Sequence, residues 1–218
     1  MIVNPKSFLV GAIENSKMAY ISYGYLFEQI ILKVTELGLQ TCWLGYFHGK
    51  DFLSQYDLKE NEIMPAISVI GYASEVTNLW HILLRKGLWD LFSQHVKKPR
   101  QRKAVYELFY HGCFENPSDG KVAGKYLDSI EMVRLGPSAG NKQPWRIVKD
   151  SGSDIYHLFM NPSNRKGYIE KKLHEIDMGI AMCHFELAAH GNNLNGNWKI
   201  IDSNIEVPEN TYYIVSWV

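Results

Sequence analysis

The ten residues Gly136-Pro137-Ser138-Ala139-Gly140-Asn141-Lys142-Gln143-Pro144-Trp145 concentrate the groups in this chain best suited to holding a ligand. Two prolines fix φ and remove amide donors, while two glycines open the φ > 0 region. Gln143 stands directly before Pro144 and is expected in an extended conformation, because the proline ring crowds the helical one. The loop should therefore be stiff. Its remaining amides and the side chains of Ser138, Asn141 and Gln143 can all be aimed at one bound molecule.

The other chemistry-bearing residues form no comparable constellation. His184 and His190 lie six residues apart on one expected helix, the wrong spacing for a shared metal. His48, His111 and His174 have no histidine or cysteine partner at ligand spacing, so no metal site is expected. Gly136 and Gly140 do not belong to a G-x-G-x-x-G turn, which argues against a Rossmann dinucleotide site. Covalent hydrolysis is not expected either. Cys42, Cys113 and Cys183 are odd in number, far apart and flanked by apolar residues. They read as reduced core thiols rather than a disulfide framework.

Composition sets the class. The chain has 218 residues, long enough for one large domain or two modest ones. Hydrophobic content of 46% and charged content of 21% are those of an ordinary globular protein. Zero net charge and a pI of about 7.1 give no general attraction to nucleic acid or an anionic membrane. The run Met1-Ile-Val-Asn-Pro-Lys6 lacks the pattern of a signal peptide, and no window has 18 uncharged apolar residues. A cytoplasmic location is expected.

The elements that must position the loop follow from periodicity. Gly124 to Leu135 has helical spacing, with Leu127, Ile130, Met132, Val133 and Leu135 on its apolar side, and Trp145 to Val148 reads as a short strand. Upstream, Ser7 to Ile13 reads as a buried strand. Tyr20 to Leu39 reads as a helix apolar around most of its circumference, with Gly38 as terminator. A tight loop over Gln40 to Tyr46, a short amphipathic segment at Asp51 to Tyr56 and a strand at Ala66 to Tyr72 are expected next. A helix follows over Leu79 to Phe92, then a basic tract at Lys97 to Lys103 and a surface loop at His111 to Lys121. After the central loop come a strand at Asp154 to Met160, a polar turn at Asn161 to Gly167, a nearly all-apolar helix at Lys172 to His190 and a last strand at Tyr212 to Val218.

Two of these stretches match each other. With an offset of 155 residues, Ile21, Gly24, Leu32, Leu39 and Trp43 fall on Ile176, Gly179, Leu187, Leu194 and Trp198. Five identities in that span exceed the roughly one or two expected of unrelated sequences. Ile70-Gly71-Tyr72 likewise resembles Val215-Ser216-Trp217. The matches predict two related halves, residues 1–110 and 111–218. A counterpart of the Pro137 loop would lie upstream of Met1, so the first half is expected to be shortened at its N-terminus.

The string Pro137-Ser138-Ala139-Gly140-Asn141-Lys142-Gln143-Pro144-Trp145 resembles the flavin loop of the nitroreductase family, P-S-x-x-N-x-Q-P-W. Leu37-Gly38-Leu39-Gln40-Thr41-Cys42-Trp43-Leu44-Gly45 resembles the segment that lines the other side of the flavin in that family. Asp177 to Ala189 and Tyr213 to Trp217 resemble a branch in which two nitroreductase-like halves are fused in one chain. The resemblance implies an α+β fold of two tandem halves related by a pseudo-twofold axis. It also implies FMN held by Pro137, Ser138, Ala139, Asn141 and Gln143 on one side and by Trp43, Leu44 and Gly45 on the other, with Trp145 packed beneath. A backbone amide near Leu44 to Tyr46 would sit at flavin N5, and Arg100, Arg102 and Lys103 would lie at the phosphate. Because ordinary members bind FMN at a homodimer interface, a fused chain is expected to act as a monomer with an internal pseudo-dimer. The implied activity is NAD(P)H-dependent reduction of nitroaromatic or similar electron-poor small molecules, with no catalytic side chain because the flavin carries the chemistry. The chain departs from the family in lacking an Arg-Arg-Ser-x-Arg-type segment before Gly24. That departure keeps open a second reading, a flavin-free or flavin-impaired non-catalytic protein on the same scaffold.

Overall fold

The computed structural model describes residues 7–45, 50–72, 101–162 and 168–218. The helix expected at 79–92, Arg100 and the rest of the basic tract before it, Tyr46, and residues 163–167 of the polar turn lie outside these. Helix α1 spans Lys17–Glu36. Ser16 caps its start, its Oγ accepting from the Ala19 amide at 3.3 Å. Gly38 ends the helix at φ +82°, and the Leu39 amide returns to the Val34 carbonyl.

A three-stranded antiparallel sheet flanks α1. Its strands are β1 (Ser7–Leu9), β3 (Gln40–Leu44) and β5 (Ile67–Gly71), in the order β1-β5-β3. Strands β2 (Ile13–Glu14) and β4 (Glu62–Ile63) form a separate ribbon, and α2 (Lys50–Leu53) is a single turn. The first five residues of the expected Gln40–Tyr46 loop are therefore strand. Thr41, Cys42 and Trp43 suit a pleated surface, and they pair along β5 from Gln40↔Gly71 to Leu44↔Ile67. The expected strand at Ser7 to Ile13 breaks into two pieces, and β1 is largely exposed because it forms an edge.

The second sheet has five strands: β6 (Phe109–His111), β7 (Trp145–Lys149), β8 (Tyr156–Met160), β9 (Trp198–Lys199) and β10 (Tyr212–Trp217). Their order is β6-β7-β8-β10-β9, with β6 parallel to β7 and the other pairs antiparallel. Helix α3 (Leu127–Leu135) stops at Gly136, whose amide caps the Met132 and Val133 carbonyls, and Pro137 cannot continue the helix. Helix α4 (Tyr168–Gly191) packs against both α1 and α3. One connectivity occurs twice: strand, long helix, edge strand, central strand. It runs β1, α1, β3, β5 in the first sheet and β8, α4, β9, β10 in the second.

One apolar cluster lies under the second sheet. There Phe185 meets Tyr126, Tyr156, Trp198 and Trp217 with ring centroids 5.4–5.8 Å apart. A second cluster joins α1, α4 and the first sheet through Tyr23, Phe27, Ile31, Leu173, Ile176 and Ile180. Helix α1 is not covered on several sides as its composition suggests: Met18, Leu26 and Ile30 are exposed among the described residues. Of the cysteines only Cys183 is in the core; Cys42 and Cys113 are exposed. Burial pushes the Cys183 thiol up to about 12, with Glu28 and Glu186 adding to the shift.

The two long helices meet through glycine. A Cβ on Gly24 would collide with the Ile176 carbonyl, and a Cβ on Gly179 would collide with the Ile21 carbonyl. Both obstacles are backbone, so neither can swing aside. Gly179→Ala should cost at least about 2 kcal/mol in urea denaturation, as overpacking against a fixed backbone does. Gly152→Ala, with nothing within 4 Å of the added atom, should stay within about 0.5 kcal/mol of the parent.

Candidate functional site

A cavity of about 430 Å³ opens between the first sheet and the Pro137–Gly140 turn, over the junction of α1 and α4. One wall is the end of β3 with the residue after it: Thr41, Cys42, Trp43 and Gly45. The facing wall is the turn Pro137 to Gly140. Ile31 of α1 and Leu173, Ile176, Asp177 and Ile180 of α4 close the base. A side chain at Gly45 would come within 2.8 Å of Leu173, so the glycine keeps this end of the cavity open.

Trp43 is fixed on three sides. Its ring packs on Phe27 and Tyr23, with centroids 4.8 and 6.3 Å away, and its Nε1 donates to Glu28 Oε2 at 2.8 Å. The other oxygen of Glu28 lies 2.8 Å from His184 Nε2. Glu28 is 1% exposed and sits where α1, α4 and β3 meet. Beside it, Tyr23 donates to the Ala66 carbonyl at 2.6 Å, and burial raises the pKa of its phenol.

The opposite wall is held from within the chain. The Ala139 amide donates to Asp177 Oδ1 at 2.9 Å, and Asp177 Oδ2 lies 3.0 Å from His174 Nδ1. Burial raises the Asp177 pKa, opposed by the His174 contact and the Ala139 amide. Ser138 Oγ accepts from the Gln143 amide at 2.9 Å, which folds the loop across its own base.

Behind the loop runs the segment 101–103. The Asn141 side chain donates to the Gln101 carbonyl at 2.9 Å and accepts from Arg102 Nη1 at 2.6 Å. Arg102 Nη2 donates to the Leu135 carbonyl, and the Lys103 amide donates to Gln143 Oε1 at 2.8 Å. These contacts override the local preference of a residue before proline. Gln143 stands at φ +50° with its side chain buried, not in the extended conformation expected of it. Asn141 is left-handed as well, at φ +57°.

The expected site residues thus divide. Pro137, Ser138, Ala139, Trp43 and Gly45 line one cavity, while Asn141, Gln143, Arg102 and Lys103 secure the loop from its far side and do not line it. Leu44 is in β3 but is not on the wall, Trp145 is fully buried in the cluster under the second sheet, and Arg100 lies outside the described residues. Lys103 is half-buried with its Nζ 3.4 Å from the Gln143 carbonyl. Burial, with Arg146 and Lys142 nearby, lowers its pKa to about 8.

Sequence reasoning missed Asp177, His174, Glu28 and Cys42 as site residues. Asp177 carries the clearest signal, an acid inside a largely apolar helix and two residues before Gly179, where burial demands a partner. His174 stands at i−3 from it, one turn away. The letters Gly136-Pro137-Ser138-Ala139-Gly140 also spell G-x-S-x-G. They join a helix to a strand, the reverse of a nucleophile elbow, and the Ser138 oxygen is engaged by the Gln143 amide, which leaves covalent hydrolysis without support.

The model of a protein family described as "Putative TM nitroreductase" matches residues 1–189. The fold is also similar to a crystal structure of a "putative nitroreductase" from Thermotoga maritima MSB8. That likeness has 21% sequence identity and a TM-score of 0.56, and covers 96% of this chain and 69% of the other. No curated protein matches the chain.

Two outcomes follow from the loop and its strap. Asn141→Ala removes two hydrogen bonds, one to a charged partner, and should lower stability by about 2 kcal/mol, whereas exposed Lys142→Ala should change it by less than about 0.5 kcal/mol. A chemical denaturation comparison reads both. Lys103 has a folded pKa below its unfolded one, so the unfolded chain binds more protons between about pH 8 and 10.5 and folding stability gains from rising pH there. Relative to Lys103→Met, the parent should become steadily more stable across that window in urea titrations.

Proposed function

Because the chain belongs to this nitroreductase family, we propose that it is an FMN-dependent oxidoreductase that passes electrons from NAD(P)H to nitroaromatic or similar electron-poor small molecules. The observation that carries the reading is the cavity between Trp43–Gly45 and Pro137–Gly140. Its volume of about 430 Å³ is that of a small-molecule site. Its walls combine apolar side chains with a few polar ones, Thr41, Ser138 and Asp177, a lining that fits a flat, amphiphilic ring.

Under this reading Ser138 and Ala139 would hold one face of the isoalloxazine and Trp43 and Gly45 the other, with Leu44 keeping β3 in register. Pro137 shapes the turn, and Asn141 and Gln143 act by fixing it against residues 101–103. Arg102 and Lys103, with Arg100, are proposed for the phosphate end. FMN supplies the two-electron chemistry when bound, and the chain binds it, orients it and excludes water.

We further propose that residues 1–110 and 111–218 are two nitroreductase-like halves related by a pseudo-twofold axis, so that a single chain builds the site without a partner. The reciprocal Gly24 and Gly179 contacts and the recurring strand–helix–strand–strand connectivity support this. Strand β6 spans the boundary and pairs with β7, tying the end of the first half into the second sheet.

One observation favours the second reading, a flavin-free protein on this scaffold: no basic side chain is among the described residues lining the cavity. Purified chain and an FMN titration decide between them. The flavoprotein reading expects a yellow protein or uptake of one FMN per chain, followed by NAD(P)H oxidation that depends on a nitroaromatic acceptor. A colourless chain that takes up no FMN overturns it.

A further inference from the structure

We infer that Asp177 and Glu28 are the positioning residues of this cavity, each buried carboxylate holding one wall with one oxygen and a histidine of α4 with the other. The inference rests on the cavity being the ligand site proposed above. Asp177 takes the Ala139 amide at 2.9 Å and His174 at 3.0 Å. Glu28 takes the Trp43 indole at 2.8 Å and His184 at 2.8 Å. The two carboxylates are 2% and 1% exposed. Each reaches a different wall, and both imidazoles come from α4, which forms most of the base.

Stability is a poor reason for such pairs. A buried carboxylate gives up its hydration, and well-packed apolar residues of similar volume commonly do as well or better. An apolar residue cannot, however, fix the direction of an amide or an indole N–H. A carboxylate with two oxygens in one plane fixes two donors at once. Asp177 thereby sets where the Ser138–Gly140 turn stands, and Glu28 sets where the Trp43 ring stands. The distance between the walls is then decided by where α1 and α4 carry these two side chains, and those helices are locked at Gly24 and Gly179.

The amide variants separate this role from bulk packing. Asn at 177 can accept from the Ala139 amide and donate to a neutral His174, and Gln at 28 can do the same for Trp43 and His184. Hydrogen exchange on the chain without added ligand, read over segments 40–45 and 136–145, is the first measurement. Asp177→Ala should speed exchange in 136–145 by about tenfold and leave 40–45 unchanged, Glu28→Ala should do the reverse, and Asp177→Asn and Glu28→Gln should exchange like the parent. FMN titration is the second: alanine variants should bind about tenfold more weakly and amide variants within about threefold of the parent. Unchanged exchange in the alanine variants overturns the inference. So does an equal rise in both segments, or an amide variant that behaves like its alanine. A parent that takes up no FMN sinks the flavin reading, and the exchange pattern alone then decides this inference.

Discussion

The close crossing of α1 and α4 is the constraint on which the rest of the molecule depends. Two helices approach until the position of a Cβ on one coincides with a carbonyl of the other, at Gly24 and again at Gly179. Only glycine permits that approach, and it costs helix propensity of about 1 kcal/mol at each position. The return is a fixed geometry. With backbone against backbone there is little room to slide, so side chains one or two turns away keep constant separations. Ile31 lies on one side of the crossing and Ile180 beside it, and both are in the base of the cavity.

Burying acids near that crossing follows from the same geometry. Glu28 is one turn after Gly24, and Asp177 is two residues before Gly179. Both are packed where water cannot reach, so each must find donors within the protein. Each finds a histidine and a wall. Hence the helix pair is both the floor of the cavity and the reference frame for its sides. The aromatic packing of Trp43 on Phe27 and Tyr23 adds area but sets no direction for the indole N–H, and the Glu28 contact supplies one.

The loop shows how local chemistry and long-range contacts divide the work. Its glycines and prolines narrow the conformations available, yet they do not select one. Gln143 at φ +50° runs against the preference of a residue before proline, and its buried side chain, bonded to the Lys103 amide, offsets the strain. Asn141 has the same history. Its side chain, which looks in the sequence like a ligand group, is consumed by Gln101 and Arg102. The loop presents Ser138 and Ala139 to the cavity because Asn141 and Gln143 are pulled the other way.

Much of this was legible in the sequence, and the limit of legibility has a physical basis. The long helices, the strands at 67–71, 145–149, 156–160 and 212–217 and the central loop follow from periodicity, caps and turn residues, which act over a few positions. The nitroreductase family was legible in the loop string. Strand β3 was not, because Gln40 to Leu44 alternates weakly and becomes a strand only by pairing with β5. The partial exposure of α1 was not, because composition does not tell which side finds a neighbour. Glu28 was not, because His184 lies 156 residues away, and Asp177 was only half legible: His174 is one turn away, but the Ala139 amide it holds lies 38 residues off. The sequence alone thus determined the long helices, most of the strands and, in the central loop, a stiff turn rich in polar side chains. Only the tertiary structure decided which of its polar side chains face the cavity, because a side chain points toward whichever donor or acceptor the fold brings near it.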